Sequence, residues 1–204
     1  ANITNKQILL DKDVIIPRKP EILEWAVWKS LLAINDIKCE PSQTRLFNID
    51  LNDEYLLPLD DARSGYEDLF FQFANYNLTV EVTYSEGPKQ ETMEGISVRQ
   101  HLIKRMLEYK NKKDVYALFI APSIDLNTFQ TLNTPFYYGR EKKKYSGLKI
   151  IPLTIKQYNQ IFSRIMKQKT EIKNLTLKKI FDDLIVNKET LEPEAWREKI
   201  KNIV

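Results

Sequence analysis

The chain has 204 residues, 43% of them hydrophobic and 29% charged, which is enough for one domain with a full core. It contains no run of about 18 uncharged apolar residues and no basic-then-apolar leader, which excludes a membrane-spanning helix and points to the cytoplasm. Cys39 is the single cysteine, His101 the single histidine and the net charge +3. An internal disulfide and a multi-cysteine metal site are therefore excluded, and a polyanionic partner is permitted without being required.

Residues 1–18 mix isoleucines and leucines with charges and end on Pro17 and Pro20, which reads as a docked arm. A helix is expected from residue 20 to about 35, with Leu23, Val27, Trp28, Leu31 and Leu32 at helical spacing. Trp25 and Trp28 read as core. Glu24 falls on the apolar side one turn before Trp28, and periodicity alone makes it a partly exposed residue at the edge of the stripe. Residues 36–63, with Pro41, Pro58, Asp60 and Asp61, read as loops around one or two short strands, such as one at 46–51.

Asp68 opens an extended apolar run to Phe73, Asn75-Tyr76-Asn77 supplies a turn, and residues 78–84 form a second strand, so a hairpin is expected. Leu78, Val80, Val82 and Tyr84 share one face, while Thr79, Glu81 and Thr83 share the other. Glu81 thus projects from a polar face in mid-strand, where glutamate is uncommon. After Gly87 and Pro88, residues Val98, Leu102, Met106 and Tyr109 mark an amphipathic helix carrying Arg99, His101, Lys104 and Arg105. Residues 115–121 are nearly all apolar, as in a central strand buried on both faces.

A short helix near 126–132, a basic loop Arg140-Glu141-Lys142-Lys143-Lys144 and a last strand at 148–153 follow. The basic loop is either a solvated run of charge or a contact for a nucleic-acid backbone. Thr154 and Gln157 form a capping box for a helix with Tyr158, Phe162, Ile165 and Met166 on one side, and helices near 175–186 and after Pro193 complete the chain. The order predicts an α/β fold, a mixed central sheet flanked by helices, with a helical C-terminal segment over about 154–204 and a core over about 20–153.

An aspartate at the start of one strand and a glutamate on its neighbour can reach one hard cation together. Mg2+ typically takes one or two carboxylates plus waters and phosphate oxygens, and it activates water for phosphodiester hydrolysis. Asp68 and Glu81 have that placement, with the Val82 backbone carbonyl as a third oxygen. The pattern is weak by spacing alone, because acidic residues thirteen apart on adjacent strands also arise by chance.

Its context is more specific. Gly65-Tyr66-x-Asp68, Val80-Glu81-Val82-Thr83, Met93-Glu94-Gly95, Val98-Arg99-x-His101 and residues 118–125, in this order, resemble the AlwI-type type IIS restriction endonucleases of the PD-(D/E)xK nuclease superfamily. The resemblance covers about residues 20–133. It implies a restriction-endonuclease-like fold and Mg2+-dependent cleavage of double-stranded DNA, with Asp68 and Glu81 as metal ligands. It also brings Glu24 into the site, because Leu23-Glu24-Trp25 is similar to the position where the superfamily adds an acid from its first core helix. Thr83 stands where the superfamily usually has lysine; Glu94 can replace that lysine by orienting the attacking water, or Lys89 can swing in from its loop.

His101 is either a satisfied helix residue or a contact to the scissile phosphate or to Glu94, and Arg99 pairs with a phosphate or with the site carboxylates. Lys89, Arg140, Lys142 and Lys143 complete the expected DNA-contacting set. No helix-turn-helix or zinc module is evident, so the chain is expected to be a single nuclease domain over 1–204. It is similar to the small catalytic subunit of a heterodimeric type IIS enzyme, in which a larger partner recognises DNA and nicks one strand. Ala1 reads as a natural terminus left by methionine removal, although a cleavage domain cut from a longer enzyme fits nearly as well. A self-sufficient repair or junction-resolving nuclease, and a non-catalytic DNA-binding or assembly module on the same fold, are the alternatives.

Overall fold

Strand β3 (Asp114–Ala121) is buried from Val115 onward, because its side chains are apolar on both faces and only a covered strand can hold such a run. In the computed structural model, which describes residues 19–63, 65–109, 113–139, 141–168 and 173–203, β3 lies inside a four-stranded sheet. Parallel neighbours flank it, β2 (Tyr76–Val82) on one side and β6 (Ile150–Thr154) on the other, and β1 (Leu69–Gln72) closes the sheet antiparallel to β2. The expected N-terminal arm and Arg140 lie outside the described residues.

Strand alternation sorts the helices onto two faces. Tyr76 and Tyr116 point to the face covered by α1 (Lys19–Leu32), α4 (Ile155–Lys167) and α5 (Lys173–Ile185). There the Tyr116 ring meets Phe181, and Leu31, Leu153, Tyr158 and Ile161 close together. Residues of opposite parity, Glu81 among them, face α2 (Lys89–Glu108), which packs with α3 (Leu126–Asn133); α6 (Pro193–Ile203) packs on α3 through Phe129 and Trp196. The expected mixed sheet flanked by helices is the observed one. No helix among the described residues is long and apolar enough to cross a membrane.

Local expectations hold in part. Thr154 and Gln157 form the reciprocal capping box at the start of α4. Trp28 is core, 2% exposed, with its indole N–H on Thr44 Oγ1 at 2.8 Å; Trp25 is only partly buried, its indole N–H on the Leu56 carbonyl. No strand forms over 46–51. Arg45 and Ile49 make isolated bridges to Leu69 and Pro58, and a proline cannot donate to extend the ladder. The hairpin turns at Ala74-Asn75, and Tyr76 and Asn77 already belong to β2, since the Tyr76 ring is core. Helix α2 begins at Lys89, directly after Gly87-Pro88, so Glu91 and Glu94 are helical. A two-stranded hairpin unforeseen from sequence, β4 (Phe136–Tyr138) and β5 (Lys144–Ser146), presents Lys142, Lys143 and Lys144 of the basic loop.

Lys188 is buried, 4% exposed, with its ammonium on the Leu148 carbonyl at 2.9 Å and over the Trp196 ring. Burial pushes its pKa down to about 8. Between about pH 8 and the ordinary lysine range the unfolded chain binds more protons than the folded one, so stability rises with pH there. Lys188→Met should remove an increase on the order of 2 kcal/mol. Urea denaturation at pH 7.5 and 9.5 measures it, and an unchanged pH slope in the variant would contradict this account.

Candidate active site

The carboxyl ends of the parallel strands lie along one edge of the sheet, and the start of β1 joins them because β1 runs antiparallel to β2. Asp68, just before β1, is thereby set beside the end of β2. Its Oδ2 accepts the Val82 backbone N–H at 2.6 Å. Glu81 is 6% exposed, so the strand face read from sequence as polar is in fact covered by α2. The Glu81 Oε1 lies 2.5 Å from His101 Nδ1. The two side chains share one proton across this contact, the imidazole N–H donating when Glu81 is ionised and the carboxyl O–H donating when it is protonated. Burial holds His101 below its ordinary range, against the opposing pull of Glu67, so the contact is more a hydrogen bond than an ion pair.

Two further acids arrive from helices. Glu24 of α1, 7% exposed, accepts the Ala62 backbone N–H at 3.2 Å, which fastens the incoming loop to the helix. Glu94 of α2 accepts the Thr83 hydroxyl proton at 2.9 Å, and Thr83 Oγ1 in turn accepts the Ser85 N–H at 3.0 Å. The carboxyl pKa values show how closely these groups are gathered. Glu24 is pushed up to about 8 by burial first and by Asp68 next. Asp68 and Glu81 are held well above the usual carboxylate range, again by burial and then by neighbouring acids. Glu94 is raised by burial against the Thr83 hydrogen bond and His101. Each ionised acid makes the next harder to ionise.

Glu24, Asp68, Glu81, Glu94 and His101 are thus neighbours at this edge of the sheet, and His101 bonds to Glu81 and not to Glu94. Arg99 is not with them. Its Nε donates to Gly95 O at 2.8 Å and its guanidinium stacks 4.8 Å from the Tyr137 ring, under the β4–β5 hairpin. Lys89 is exposed on the first turn of α2, and Lys142 and Lys143 are exposed on the hairpin. Among the described residues no group of three His, Cys, Asp or Glu side chains stands ready to hold a metal ion by itself.

Two participants escaped the sequence. Glu67, fully buried, is ion-paired with Arg105, whose Nε donates to Oε1 at 2.8 Å. The available signal was rotational: Glu94, His101 and Arg105, seven and then four residues apart, share one face of α2, and Arg99 does not. Gln90, 0% exposed, donates to the carbonyls of Ser85 and Ser123 and accepts the Asp125 N–H, tying the loops after β2 and β3 to the start of α2.

Residues 4–161 match the AlwI restriction endonuclease family. The chain belongs to that family. Among solved structures it is similar to the small subunit (R.BspD6I2) of the heterodimeric restriction endonuclease R.BspD6I, with a TM-score of 0.71 and 22% identity over 90% of this chain and 88% of that one. That likeness shows a shared fold. A search of curated protein sequences finds no match.

A carboxyl with a raised folded pKa contributes stability that is full below about pH 4.5 and is lost as pH rises through about 8 for Glu24. Glu24→Gln keeps an oxygen for the Ala62 N–H. In EDTA it should raise Tm by a few degrees at pH 8 and hardly at all at pH 5; equal shifts at both would refute the assignment. Arg105→Ala leaves Glu67 buried without its cation and should cost about 3–5 kcal/mol, whereas Arg105→Leu with Glu67→Met should recover most of that loss in the same urea titrations.

Proposed function

We propose that this chain is the strand-cleaving subunit of a type IIS restriction endonuclease, a single nuclease domain with its core over about 20–153. It hydrolyses a phosphodiester in one strand of duplex DNA in the cytoplasm, with Mg2+ as cofactor and a larger partner supplying sequence recognition. The observation that carries this reading is the gathering of Glu24, Asp68, Glu81 and Glu94 at one edge of the sheet, where burial and mutual repulsion drive their pKa values up.

The donor set fits a hard divalent cation. Its oxygens are carboxylates that gain from a positive neighbour, and Mg2+ asks for only one or two such groups, a backbone carbonyl and water. Asp68 and Glu81, with the Val82 carbonyl, would hold the ion, and Glu24 would complete the shell directly or through water. When bound, the ion supplies an activated water and neutralises charge on the phosphate.

The remaining residues position and exclude. His101 fixes one oxygen of Glu81 and leaves the other to the ion. Val82 N–H does the same for Asp68. Glu94, steadied by Thr83, orients the attacking water and takes its proton, standing in for the lysine with which the superfamily usually stabilises the nucleophile or the leaving charge. Family membership supports a nuclease, and likeness to a small subunit supports a larger, DNA-recognising partner.

Plasmid cleavage in Mg2+ tests the reading, with the chain alone and with a cognate nicking large subunit. Wild type should be silent alone and should convert nicks to double-strand breaks with the partner. Glu81→Ala should lose about three orders of magnitude or more, the scale of several kcal/mol of transition-state stabilisation. Cleavage by the wild-type chain unaided would favour a self-sufficient nuclease. Silence in both settings would leave a DNA-binding or assembly module.

A further inference from the structure

The charge of this chain is unevenly placed. The segment from Lys142 to Thr170 holds eight of its 31 Lys and Arg residues and none of its 28 Asp and Glu, so the remainder of the chain is net negative. In the fold the described part of that segment, up to residue 168, becomes the end of the β4–β5 hairpin, strand β6 and helix α4.

Helix α4 buries Tyr158, Ile161 and Ile165 and turns Lys156, Asn159, Gln160, Ser163, Arg164 and Lys167 to solvent. Every one of these six is a cation or an uncharged hydrogen-bonding side chain. With Pro122 and Ile155 they line an open groove of about 930 Å3. Lys156, Arg164 and Lys167 make no ion pair among the described residues; Arg164 reaches only the Ile203 carbonyl, at 3.4 Å.

The groove begins at the sheet edge that carries the carboxylates. Parallel register sets Val82 beside Ile120, Ile120 beside Leu153 and Ala121 beside Thr154. The end of β2, which bears Glu81, is therefore separated from the start of α4 by one strand, or about 10 Å across two strand spacings. A DNA strand presents a phosphate every ~3.4 Å of helix axis, so a duplex seated on the carboxylates extends across that distance within about three base pairs.

We propose that the polar face of α4 binds the phosphate backbone of the DNA duplex flanking the cleaved bond. This rests on the reading of the chain as a DNA-cleaving subunit. The residue types are those that contact phosphate and sugar without reading bases, which suits a chain whose sequence recognition comes from elsewhere.

The test is duplex binding by fluorescence anisotropy in EDTA, from 25 to 200 mM salt, alongside Mg2+ cleavage assays with the cognate large subunit. K156A/R164A/K167A should flatten the slope of log K against log salt by about 2 to 3, near 0.9 per lost contact. A charge-matched control on α5 and α6, K179A/K199A/K201A, should change it by less than about 1. At low salt the α4 variant should still cleave, whereas Glu81→Ala should bind with the wild-type slope and not cleave. Equal slopes for the two triple variants, with cleavage intact in wild type, would overturn the α4 surface and leave the nuclease reading standing. Unchanged binding with lost response to the large subunit would make this face a protein interface and likewise overturn the proposal. A wild-type chain that neither binds duplex nor cleaves would remove both.

Discussion

The hydrogen bond from the Val82 N–H to the Asp68 carboxylate, at 2.6 Å, fixes the architecture of the site. The antiparallel ladder of β1 and β2 ends at the Leu69–Val80 pair, and Val82 lies beyond it with a backbone donor that needs a partner. Asp68 supplies that partner from its side chain. On the other side of β2, Thr83 N–H donates to Ile120 O at 2.9 Å, so the same stretch is also locked to the central strand. The spacing of Asp68 and Glu81 is consequently a property of sheet register and not of a rotamer choice, which is the kind of rigidity a reacting site requires.

That rigidity is maintained against electrostatic opposition. The main influences on Glu24, Asp68 and Glu81 are burial and other carboxylates. Arg105 is committed to Glu67, and His101, bonded to Glu81, is held toward neutrality by burial. Strand β2 can carry such a load because it is buried from Tyr76 to Val82 and packs against the still more apolar β3. A stable apolar sheet holds a locally unfavourable cluster in place, and a cation from outside the chain would relieve it.

What the sequence revealed follows the physics of each signal. The β3 run and the Thr154–Gln157 cap are local, so composition and spacing were enough to place them. Glu81 needed tertiary knowledge: alternation assigned it to a polar face, and only the packing of α2 over that face buries it. Glu24 shows the limit of periodicity, which put it at the edge of a stripe when its depth depends on the loop that Ala62 brings across. The choice between Arg99 and Arg105 was legible in principle, because only Arg105 shares a helix face with Glu94 and His101. The Glu67–Arg105 pair was not, since its partners are 38 positions apart and no local pattern links them. The missed strand at 46–51 reflects tertiary bridging too short to continue past Pro58.

Thr83 is the residue whose meaning changes most between sequence and structure. In the sequence it stands where the resemblance to PD-(D/E)xK nucleases leads one to expect a lysine. In the structure its hydroxyl is fully employed, taking the Ser85 N–H and giving its own proton to Glu94. Oriented from both sides, it has no freedom to turn away from the carboxylate. A lysine here would place its ammonium beside Glu94 and favour its ionised form, whereas a threonine holds Glu94 by a neutral hydrogen bond alone. Under the proposed reading, the group that handles the attacking water has therefore moved from the strand to the helix and changed sign. A site that exchanges a cation for an anion in this way is more negative by two charges than one with strand lysine and no helix acid. It depends correspondingly more on a bound divalent ion to bring a phosphate close.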